Sequence, residues 1–338
     1  MHILVTGASG FLASHIILRL LQDGHTVRGS VRNTAKGAGI RAALAAQGAD
    51  VSALEIVALD LTSDTGWDAA MVGISTLIHT ASPFVTTIPD DEADLIRPAV
   101  DGTRRALNAA LGAGVKRIVL TSSEAAVTRG HAKGNHGPFG EADWTDITGA
   151  DVTPYFKSKT LAEREAWKIM RDAGRENDLS VINPGFILGP MLDQDSGTSG
   201  ALVARMMGGK LPGAPDVYLA CVHVDDVVAV HVAAIADPRG FGRRILVSND
   251  CISFGDVADI LAQAFPQYAR ALPTRRLPSF VVRLVALGMK DARGSLPLLG
   301  RRFAVDHGLA REILGRDLVA TDEAVRAMGR SLIAHGVV

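Results

Sequence analysis

The stretch HILVTGASGFLASHIILRLL, residues 2–21, joins a short aliphatic run to a longer amphipathic segment through a turn that contains Gly7 and Gly10. The aliphatic run favours a buried β-strand, and the segment from about residue 11 has the apolar spacing of an α-helix. A glycine turn that follows the first strand and opens the first helix is typical of a dinucleotide-binding βαβ unit. Gly7 permits the tight turn, and Gly10 lets the backbone approach a pyrophosphate.

The helix after this turn begins with unpaired backbone N–H groups and the positive end of the helix dipole, which together favour an anion. Ala13, where a third glycine is common, adds only a methyl group and still permits close packing of helix and strand. A turn that uses glycine only for its positive φ is the alternative, and the position after a first strand argues against it. The expected dinucleotide contacts here are Gly7, Ser9, Gly10, Phe11 and Leu12.

Apolar runs and amphipathic segments alternate through the first half of the chain. Strands are predicted at HILVT, TVRGSV, EIVAL, STLIHT, RIVLTS and LSVINP, and helices near residues 11–22, 35–47, 90–113 and 154–173. This alternation predicts a parallel sheet, and strands buried on both faces read as continuous apolar runs. The predicted fold class is therefore α/β, a Rossmann-type doubly wound parallel sheet with a smaller, mostly helical C-terminal lobe.

The pattern changes after about residue 186, where loops rich in glycine and proline separate the helices. One more strand is predicted at RRILVSN, and helices are predicted at 199–208, 224–236, 255–265, 278–289, 306–314 and 321–334. We expect residues 1–186, with returning segments near 220–250, to form the dinucleotide-binding domain. Residues 187–219 and 251–338 are expected to form the substrate-binding lobe.

The composition argues against several classes of protein. The 338 residues are 47% hydrophobic, which is enough for a sizeable core, and the formal charge of −1 gives no field that would recruit nucleic acid or an anionic membrane. Two cysteines, Cys221 and Cys251, are too few for a disulfide framework. Because no export signal and no apolar run of ~20 residues is present, we expect a cytoplasmic monomer or homodimer with a small-molecule partner.

The end of the second predicted strand indicates which dinucleotide binds. The sequence there, VRGSVRNTAK, has no carboxylate to hold a free ribose, whereas Arg32 and Lys36 follow the strand and suit the 2′-phosphate of NADP(H). Two ordinary surface cations are the alternative, and Arg28, on the strand itself, is the weaker ligand. After the third strand, Asp60 either accepts from the adenine amino group or caps the next helix, and Leu61 beside it is a further expected cofactor contact.

The segment DVTPYFKSKTLAEREAW, residues 151–167, places Tyr155 four residues before Lys159. Thr153 and Pro154 are good N-cap and first-turn residues, so one helix should carry both side chains on the same face, with Lys157 pointing elsewhere. A nearby ammonium stabilises phenolate and is expected to lower the pKa of Tyr155 from ~10 towards neutrality. The pair then provides a general acid for a carbonyl oxygen.

Two adjacent serines end the fifth predicted strand, in RIVLTSSEAAV. This edge of an open α/β sheet is where ligands bind, and Thr121 is an expected cofactor contact there. Alternation along the strand sends Ser122 and Ser123 to opposite sides of the backbone. One hydroxyl can donate to a substrate oxygen, and the other is expected to bond locally. The residues alone leave open which serine does which.

Together, seven stretches resemble the extended short-chain dehydrogenase/reductase family. They are TGASGFLASHI, VRGSVRN, TASPF, GVKRIVLTSSEAAV, YFKSKTLAE, INPGFILGP and CVHVDDVV. Within the family, the resemblance is closest to the NADPH-dependent aldehyde/ketone reductases and the dihydroflavonol or cinnamoyl-CoA reductases. The last hundred or so residues match in general character only.

The resemblance implies a role for each matching residue. It makes Ser123 the catalytic serine, Tyr155 the proton donor, and Lys159 both the tuner of Tyr155 and a ligand of the nicotinamide ribose. It also implies cofactor contacts at Thr80, Ala81, Ser82, Pro184, Gly185 and Ile187. Two departures matter: Ala99 stands where many members have asparagine, which puts an asparagine-assisted proton relay in doubt, and flavonoid-type signatures after the serine are missing.

The resulting expectation is an NADP-dependent oxidoreductase that reduces an aldehyde or ketone reversibly by hydride transfer. The expected substrate contacts are Ser82, Phe84, Ser123 and Tyr155, with pocket walls from the loop 128–139 and from residues 191–207. His131 and His136 are too few for a metal site, so none is expected. Two alternatives are an NAD-dependent nucleotide-sugar epimerase or dehydratase and a non-catalytic regulator that senses NADPH.

Overall fold

The computed structural model describes residues 1–83, 91–132, 134–288 and 294–338. Within these ranges the chain forms twelve strands. They are β1 (His2–Thr6), β2 (Thr26–Val31), β3 (Leu54–Ala58), β4 (Thr76–His79), β5 (Arg117–Thr121), β6 (Leu179–Pro184), β7 (Phe186–Leu188), β8 (Ala214–Pro215), β9 (Tyr218–His223), β10 (Arg243–Val247), β11 (Cys251–Ser253) and β12 (Arg276–Leu277).

Eleven α-helices lie in the same ranges. They are α1 (Phe11–Gln22), α2 (Gly37–Ala46), α3 (Trp67–Met71), α4 (Ala93–Gly112), α5 (Pro154–Asp172), α6 (Gly197–Met207), α7 (Val224–Ala233), α8 (Phe254–Ala264), α9 (Ser279–Gly288), α10 (Gly308–Leu314) and α11 (Thr321–Ala334). None of the helices in the described ranges is long and apolar enough to cross a lipid bilayer.

Seven parallel strands form the central sheet, in the order β10-β6-β5-β4-β1-β2-β3. The order reverses at β1, which pairs with β2 on one side and β4 on the other: Ile3 lies opposite both Val27 and Thr76. In a doubly wound sheet, the crevice at such a reversal is where a ligand binds. The predicted α/β Rossmann-type fold class is confirmed.

The sheet is covered on both faces, and alternation along β1 shows how. Ile3 and Val5 pack in one core cluster with α1 and α7, whereas Leu4 packs in a second cluster with α4 and α5. All three side chains are fully buried, and each such side chain stabilises the fold by about 1.5–3 kcal/mol. Burial on both faces explains why these strands read as unbroken apolar runs.

The predicted strands of the first half all form, and RRILVSN gives β10 beside β6. The sequence did not predict α3 or a second sheet of three strands in the order β11-β9-β7. Its strands β7 and β11 have only three residues each, too few to give a periodic pattern. Of the segments expected to return near 220–250, β10 joins the central sheet and β9 joins the smaller one. The division into two lobes stays a prediction.

Candidate functional site

The glycine turn between β1 and α1 has the geometry that an anion needs. Gly7 has a φ of +72°, and a Cβ at this position would lie 3.2 Å from Cα of Ala81. Gly10 donates its N–H to the Gly7 carbonyl at 2.9 Å, and no side chain in the described ranges caps α1. The first N–H groups of the helix therefore have no side-chain cap among the described residues, as a pyrophosphate-binding turn requires. Phe11 is buried against His15, so at this position only the backbone is free to serve a ligand.

Thr6 holds the end of β4 against this turn. Its hydroxyl oxygen accepts the N–H groups of Thr80 at 3.1 Å and Ala81 at 3.0 Å. The hydroxyl proton then goes to Nδ1 of His79, 2.9 Å away, which assigns the imidazole proton to Nε2. Burial, assisted by the charge of Lys159, lowers the pKa of His79 to about 4, so the ring is neutral. Thr80 and Ala81 are thereby fixed beside Gly7, and Ser82 follows them.

Of the three cationic side chains near β2, one is bound by other protein groups and two are exposed. Arg28 pairs with Glu55 at 2.6 Å and donates to the carbonyls of Ala70 and Val72. The side chains of Arg32 and Lys36, by contrast, are exposed, and neither has a hydrogen bond or ion pair within the part of the chain that the structure describes. Arg28 is therefore held by other protein groups, and the assignment of Arg32 and Lys36 to a 2′-phosphate stays a prediction.

Asp60, after β3, closes a turn. One of its oxygens accepts from the N–H and hydroxyl of Thr62 at 2.8 and 2.7 Å, and these bonds, aided by Arg32, lower the pKa of the carboxyl group. The alternative that Asp60 caps the next helix is wrong, because α3 begins later, after Gly66. Leu61, beside it, packs against Gly102 of α4.

The two serines after β5 face different partners. Ser122 Oγ donates to the buried carboxylate of Glu163 at 2.5 Å. Ser123, which is 8% exposed, accepts the N–H of Ala125 on its Oγ at 3.2 Å, and its hydroxyl lies near enough to Tyr155 to lower the pKa of that phenol. The geometry therefore distinguishes the serines that alternation left unresolved: Ser123 lies with the tyrosine.

Helix α5 presents Tyr155 and Lys159 one turn apart, after Thr153 at the N-cap position and Pro154 in the first turn. Nζ of Lys159 lies 5.9 Å from the centre of the Tyr155 ring. Lys157 points elsewhere, as expected, and pairs with Glu92 at 2.8 Å. Ser123, Tyr155 and Lys159 thus meet at the carboxyl edge of the sheet, near the Thr80–Ala81 segment and the glycine turn.

The expectation that Lys159 lowers the pKa of Tyr155 is wrong. The pKa of Tyr155 is raised: burial raises it most, the neighbouring Ser123 hydroxyl lowers it, and the charge of Glu124 raises it. The tyrosine as a whole is 38% exposed, so only part of the residue is removed from solvent. Burial also lowers the pKa of Lys159 to about 8, against the opposing effect of Glu163. Spacing in a helix places two groups together, but solvation decides their pKa values.

The segment after β6 contains the remaining residues that are expected to contact the cofactor. The Gly185 N–H donates to the Val247 carbonyl at 3.2 Å, and a Cβ on Gly185 would clash with the carbonyl oxygen of Ala220. Pro184 ends β6, and Ile187 lies in β7, partly buried against the core. Thr121 is less available than expected, because its hydroxyl is hydrogen-bonded to Nε2 of His231 at 2.8 Å.

The expected substrate pocket is only partly visible. Phe84 lies outside the described residues. Residues 191–207 were expected to form a wall of the substrate pocket. Both ends of this segment pack into the core, because Met191, Met206 and Met207 are buried there. In the described part of the loop 128–139, Phe139 is buried and stacks on His131 with ring centres 4.1 Å apart.

A cleft of about 750 Å³ lies away from these groups, in the C-terminal half. Its lining includes Tyr218, Cys251, Arg276, Leu277 and Arg302, and none of Ser123, Tyr155 and Lys159. Two of the lining cations are already engaged: Arg276 pairs with aspartates, and Arg302 lies over the ring of Tyr218. We therefore locate the candidate site by its reactive groups and not by this cavity.

A buried network behind the site was missed by sequence reasoning. Glu163, Asn183 and Arg244 are buried, and the carboxylate of Glu163 accepts from both other side chains. Glu163 also accepts from the Ser122 hydroxyl, and Asn183 donates to the backbone carbonyl of Ser123. A carboxylate four residues after Lys159, on the face that carries Tyr155, was the signal that could have located Glu163.

Comparison with known proteins identifies the family. The model of the NAD dependent epimerase/dehydratase family matches residues 3–247. The chain belongs to the NAD dependent epimerase/dehydratase family. This confirms the resemblance to the extended short-chain dehydrogenases/reductases, and the match covers both the glycine turn and the Tyr155–Lys159 pair.

Several proteins similar to this chain are named as reductases. Tetraketide alpha-pyrone reductase 2 of Arabidopsis thaliana is 35% identical over 272 residues, which cover 78% of this chain and 83% of that protein. Cinnamoyl-CoA reductase 1 of Arabidopsis thaliana is 34% identical over 275 residues, or 80% and 76% of the two chains. Among solved structures, the yeast methylglyoxal/isovaleraldehyde reductase Gre2 complexed with NADPH superimposes with a TM-score of 0.80 and 25% identity, and the match covers 100% of both chains.

Proposed function

We propose that this member of the family is an NADP-dependent oxidoreductase that reduces aldehydes and ketones to alcohols, reversibly. The observation that carries the proposal is that Ser123 lies beside Tyr155, with Lys159 one turn away, at the edge where the glycine turn lies. The reductase relatives support the reaction class, and the yeast structure with NADPH supports the cofactor.

The residues that hold NADP(H) in this proposal follow the edge of the sheet. Arg32 and Lys36, whose side chains are exposed beside β2, bind the 2′-phosphate, and the backbone of the glycine turn binds the pyrophosphate. The full set is Gly7, Ser9, Gly10, Phe11, Leu12, Arg32, Lys36, Asp60, Leu61, Thr80, Ala81, Ser82, Thr121, Tyr155, Lys159, Pro184, Gly185 and Ile187. When bound, the cofactor supplies or receives the hydride.

Two side chains, Ser123 and Tyr155, act on the carbonyl oxygen, and Lys159 supports the second of them. Ser123 donates a hydrogen bond to it and orients the carbonyl, with Ser82 and Phe84 as further proposed substrate contacts. Tyr155, whose raised pKa keeps it protonated at neutral pH, gives its proton to the oxygen as negative charge develops there. The ammonium of Lys159 stabilises the phenolate that remains and binds the nicotinamide ribose. Alcohol oxidation uses the same groups in reverse.

The scope of the proposal is set by the same three groups. Because these groups act at the oxygen end of the carbonyl, both aldehydes and ketones are substrates. The C-terminal half of the chain accommodates the second substituent of the carbonyl carbon.

We also propose that the protein is cytoplasmic, that it is a monomer or a homodimer, and that the chain is divided into the two lobes described above.

Two other functions are disfavoured by particular residues. A nucleotide-sugar epimerase that holds NAD would use a carboxylate after β2, where this chain has Arg32. A regulator that senses NADPH without turnover has no use for Ser123, Tyr155 and Lys159 brought together.

The test measures NADPH consumption as the loss of NADPH absorbance. The panel of compounds contains aryl aldehydes, diketones, ketoesters and a nucleotide-diphosphate sugar. We expect consumption that depends on an aldehyde or ketone, with the alcohol as product. Cofactor binding without consumption in the presence of any carbonyl would contradict the proposal and favour a sensor. Conversion of the sugar without net NADPH loss would favour an epimerase.

A further inference from the structure

Glu163 is a buried carboxylate one turn beyond Lys159 on α5, and it is 1% exposed. Oε1 accepts from Nε of Arg244 at 2.5 Å and from Nε1 of Trp167 at 3.4 Å. Oε2 accepts from Ser122 Oγ at 2.5 Å and from Nδ2 of Asn183 at 2.7 Å. Four donors from separate parts of the fold therefore meet on one carboxylate, which satisfies its hydrogen-bonding capacity without water.

These bonds connect α5 to the catalytic serine. The same amide nitrogen of Asn183 also donates to the backbone carbonyl of Ser123 at 3.1 Å. The N–H of Ser122 donates to the Ile182 carbonyl at 2.8 Å, which joins the ends of β5 and β6. The position of Ser123 relative to the helix that carries Tyr155 thus depends on where the Glu163 carboxylate lies.

Arg244 makes the network neutral and rigid. It is 5% exposed, its other nitrogens donate to the carbonyls of Glu141, Asp143 and Ala126, and its guanidinium lies 3.8 Å from the centre of the Trp144 ring. An arginine held on all sides fixes its partner's carboxylate in one place.

We propose that Glu163 is a positioning residue. It holds Ser123 in a fixed position relative to Tyr155, and it places a fixed negative charge one turn from Lys159. This inference rests on the proposed function, because it assigns Glu163 a part in the same proton transfer. The charge is the part of the role that packing alone does not require, since a buried apolar side chain of similar volume could fill the space.

The titratable groups around Lys159 and Tyr155 lie on α5, on β4 and in the segment after β5. The pKa of Lys159 falls to about 8 through burial, and Glu163 is the carboxylate whose charge opposes that fall among the described residues. His79 of β4 faces Lys159 as a neutral ring, and Glu124 acts on Tyr155. On the side of α5 that packs against α4, the charges are paired elsewhere: Glu92 with Lys157, and Arg104 with Glu165.

Glu163→Gln tests the charge. We would measure kcat and KM for NADPH-dependent aldehyde reduction across neutral and alkaline pH in the variant and the wild type. The wild-type rate should fall as pH rises through about 8, where Lys159 loses its charge. In the variant this alkaline limb should move down by about one pH unit, so that kcat falls about tenfold below the wild-type value at pH values above the wild-type limb.

Two further variants separate charge from packing. Glu163→Asp keeps the charge but is too short to meet all four donors, so its kcat should fall while its limb stays near that of the wild type. Asp226→Asn is the matched control: Asp226 is fully buried, pairs with Arg316 at 2.7 Å and accepts the N–H of Val319 at 2.7 Å. It should lower Tm and leave the limb unchanged.

The outcomes decide between the inference and the proposed function. A folded Glu163→Gln protein with the wild-type kcat and limb overturns the inference. If Glu163→Gln does not fold, a Glu163→Asp protein with reduced kcat and an unmoved limb supports the positioning role, and wild-type kcat in that protein overturns it. A wild-type protein that consumes no NADPH with any carbonyl overturns the proposed function instead.

Discussion

Nζ of Lys159 lies 5.9 Å from the centre of the Tyr155 ring, and the two residues are one turn apart on α5. The pKa of Tyr155 is nevertheless raised, because burial of its hydroxyl is the largest effect. The phenol therefore keeps its proton at neutral pH and is ready to donate it. In the proposed mechanism Lys159 acts after that transfer, because a nearby ammonium stabilises the phenolate that remains.

The first prediction concerns pH. The pKa of Lys159 is lowered to about 8, so the ammonium is charged below that pH and neutral above it. Because the pKa of Tyr155 is raised, the tyrosine keeps its proton as the lysine loses its own. The kcat for carbonyl reduction at saturating NADPH should therefore decline as pH rises through about 8. A rate that stays flat until the phenol itself titrates would show that the lysine charge is not needed.

The second prediction compares the adjacent serines. Ser123→Ala removes the hydroxyl that faces Tyr155 and should reduce kcat by about 10²–10³-fold, the usual effect of losing one such donor. Ser122→Ala removes a donor to Glu163 and should cause a clearly smaller loss. Steady-state kinetics on both folded variants checks the ranking. A larger loss at Ser122 would mean that the roles are reversed.

The third prediction compares two glycines of similar conformation. Gly7 has φ +72° and Gly24 has φ +78°, but only at Gly7 would an added Cβ meet another residue, Ala81. Alanine at either position should cost about 1 kcal/mol of stability from backbone strain, with somewhat more at Gly7. Gly7→Ala should also weaken NADPH binding by about tenfold or more, about 1.4 kcal/mol, whereas Gly24→Ala should not. Thermal unfolding and cofactor titration measure both effects, and equal NADPH affinity in the two variants would contradict the assignment of the turn.

The fourth prediction concerns cofactor choice. Arg32→Ala should weaken NADPH binding by about 10–100-fold, the effect of losing a charge-assisted contact of about 1.5–3 kcal/mol, and leave NADH binding almost unchanged. Arg28→Ala is the control, because Arg28 is engaged by Glu55 and two carbonyls. It should lower Tm and keep the ratio of NADPH to NADH affinity. Equal weakening of both cofactors in Arg32→Ala would exclude a 2′-phosphate contact.

The central sheet was predictable because its strands carry a strong local signal. Strands buried on both faces are continuous aliphatic runs, and a glycine turn after the first of them sets the topology. The second sheet was not predictable, because β7 and β11 are three residues long and are defined by their pairing with β9.

At the site, the sequence located reactive groups but not their surroundings. Spacing put Tyr155 and Lys159 on one face of a helix, as the structure has them. Glu163 reads as an ordinary charged residue of an amphipathic helix, and only the fold brings Asn183 and Arg244 to it. The pKa of Tyr155 was predicted in the wrong direction for the same reason, since burial depends on residues distant in sequence.

The central claim is that Tyr155 donates the proton in carbonyl reduction. Removal of its hydroxyl in Tyr155→Phe keeps the ring and its edge contact with Phe156, where the ring centres are 5.9 Å apart. Tyr268→Phe is the matched control, because the Tyr268 hydroxyl donates to the carbonyl of Val338 at 3.1 Å and contacts none of the catalytic residues. Circular dichroism and NADPH titration establish that each variant is folded and binds cofactor.

The decisive measurement is kcat for aldehyde reduction at saturating NADPH in these two variants. We predict that Tyr155→Phe loses about 10²–10⁴-fold, the usual contribution of a general acid, while Tyr268→Phe keeps the wild-type rate. A folded Tyr155→Phe protein that binds NADPH and reduces the aldehyde at the wild-type rate would contradict the account.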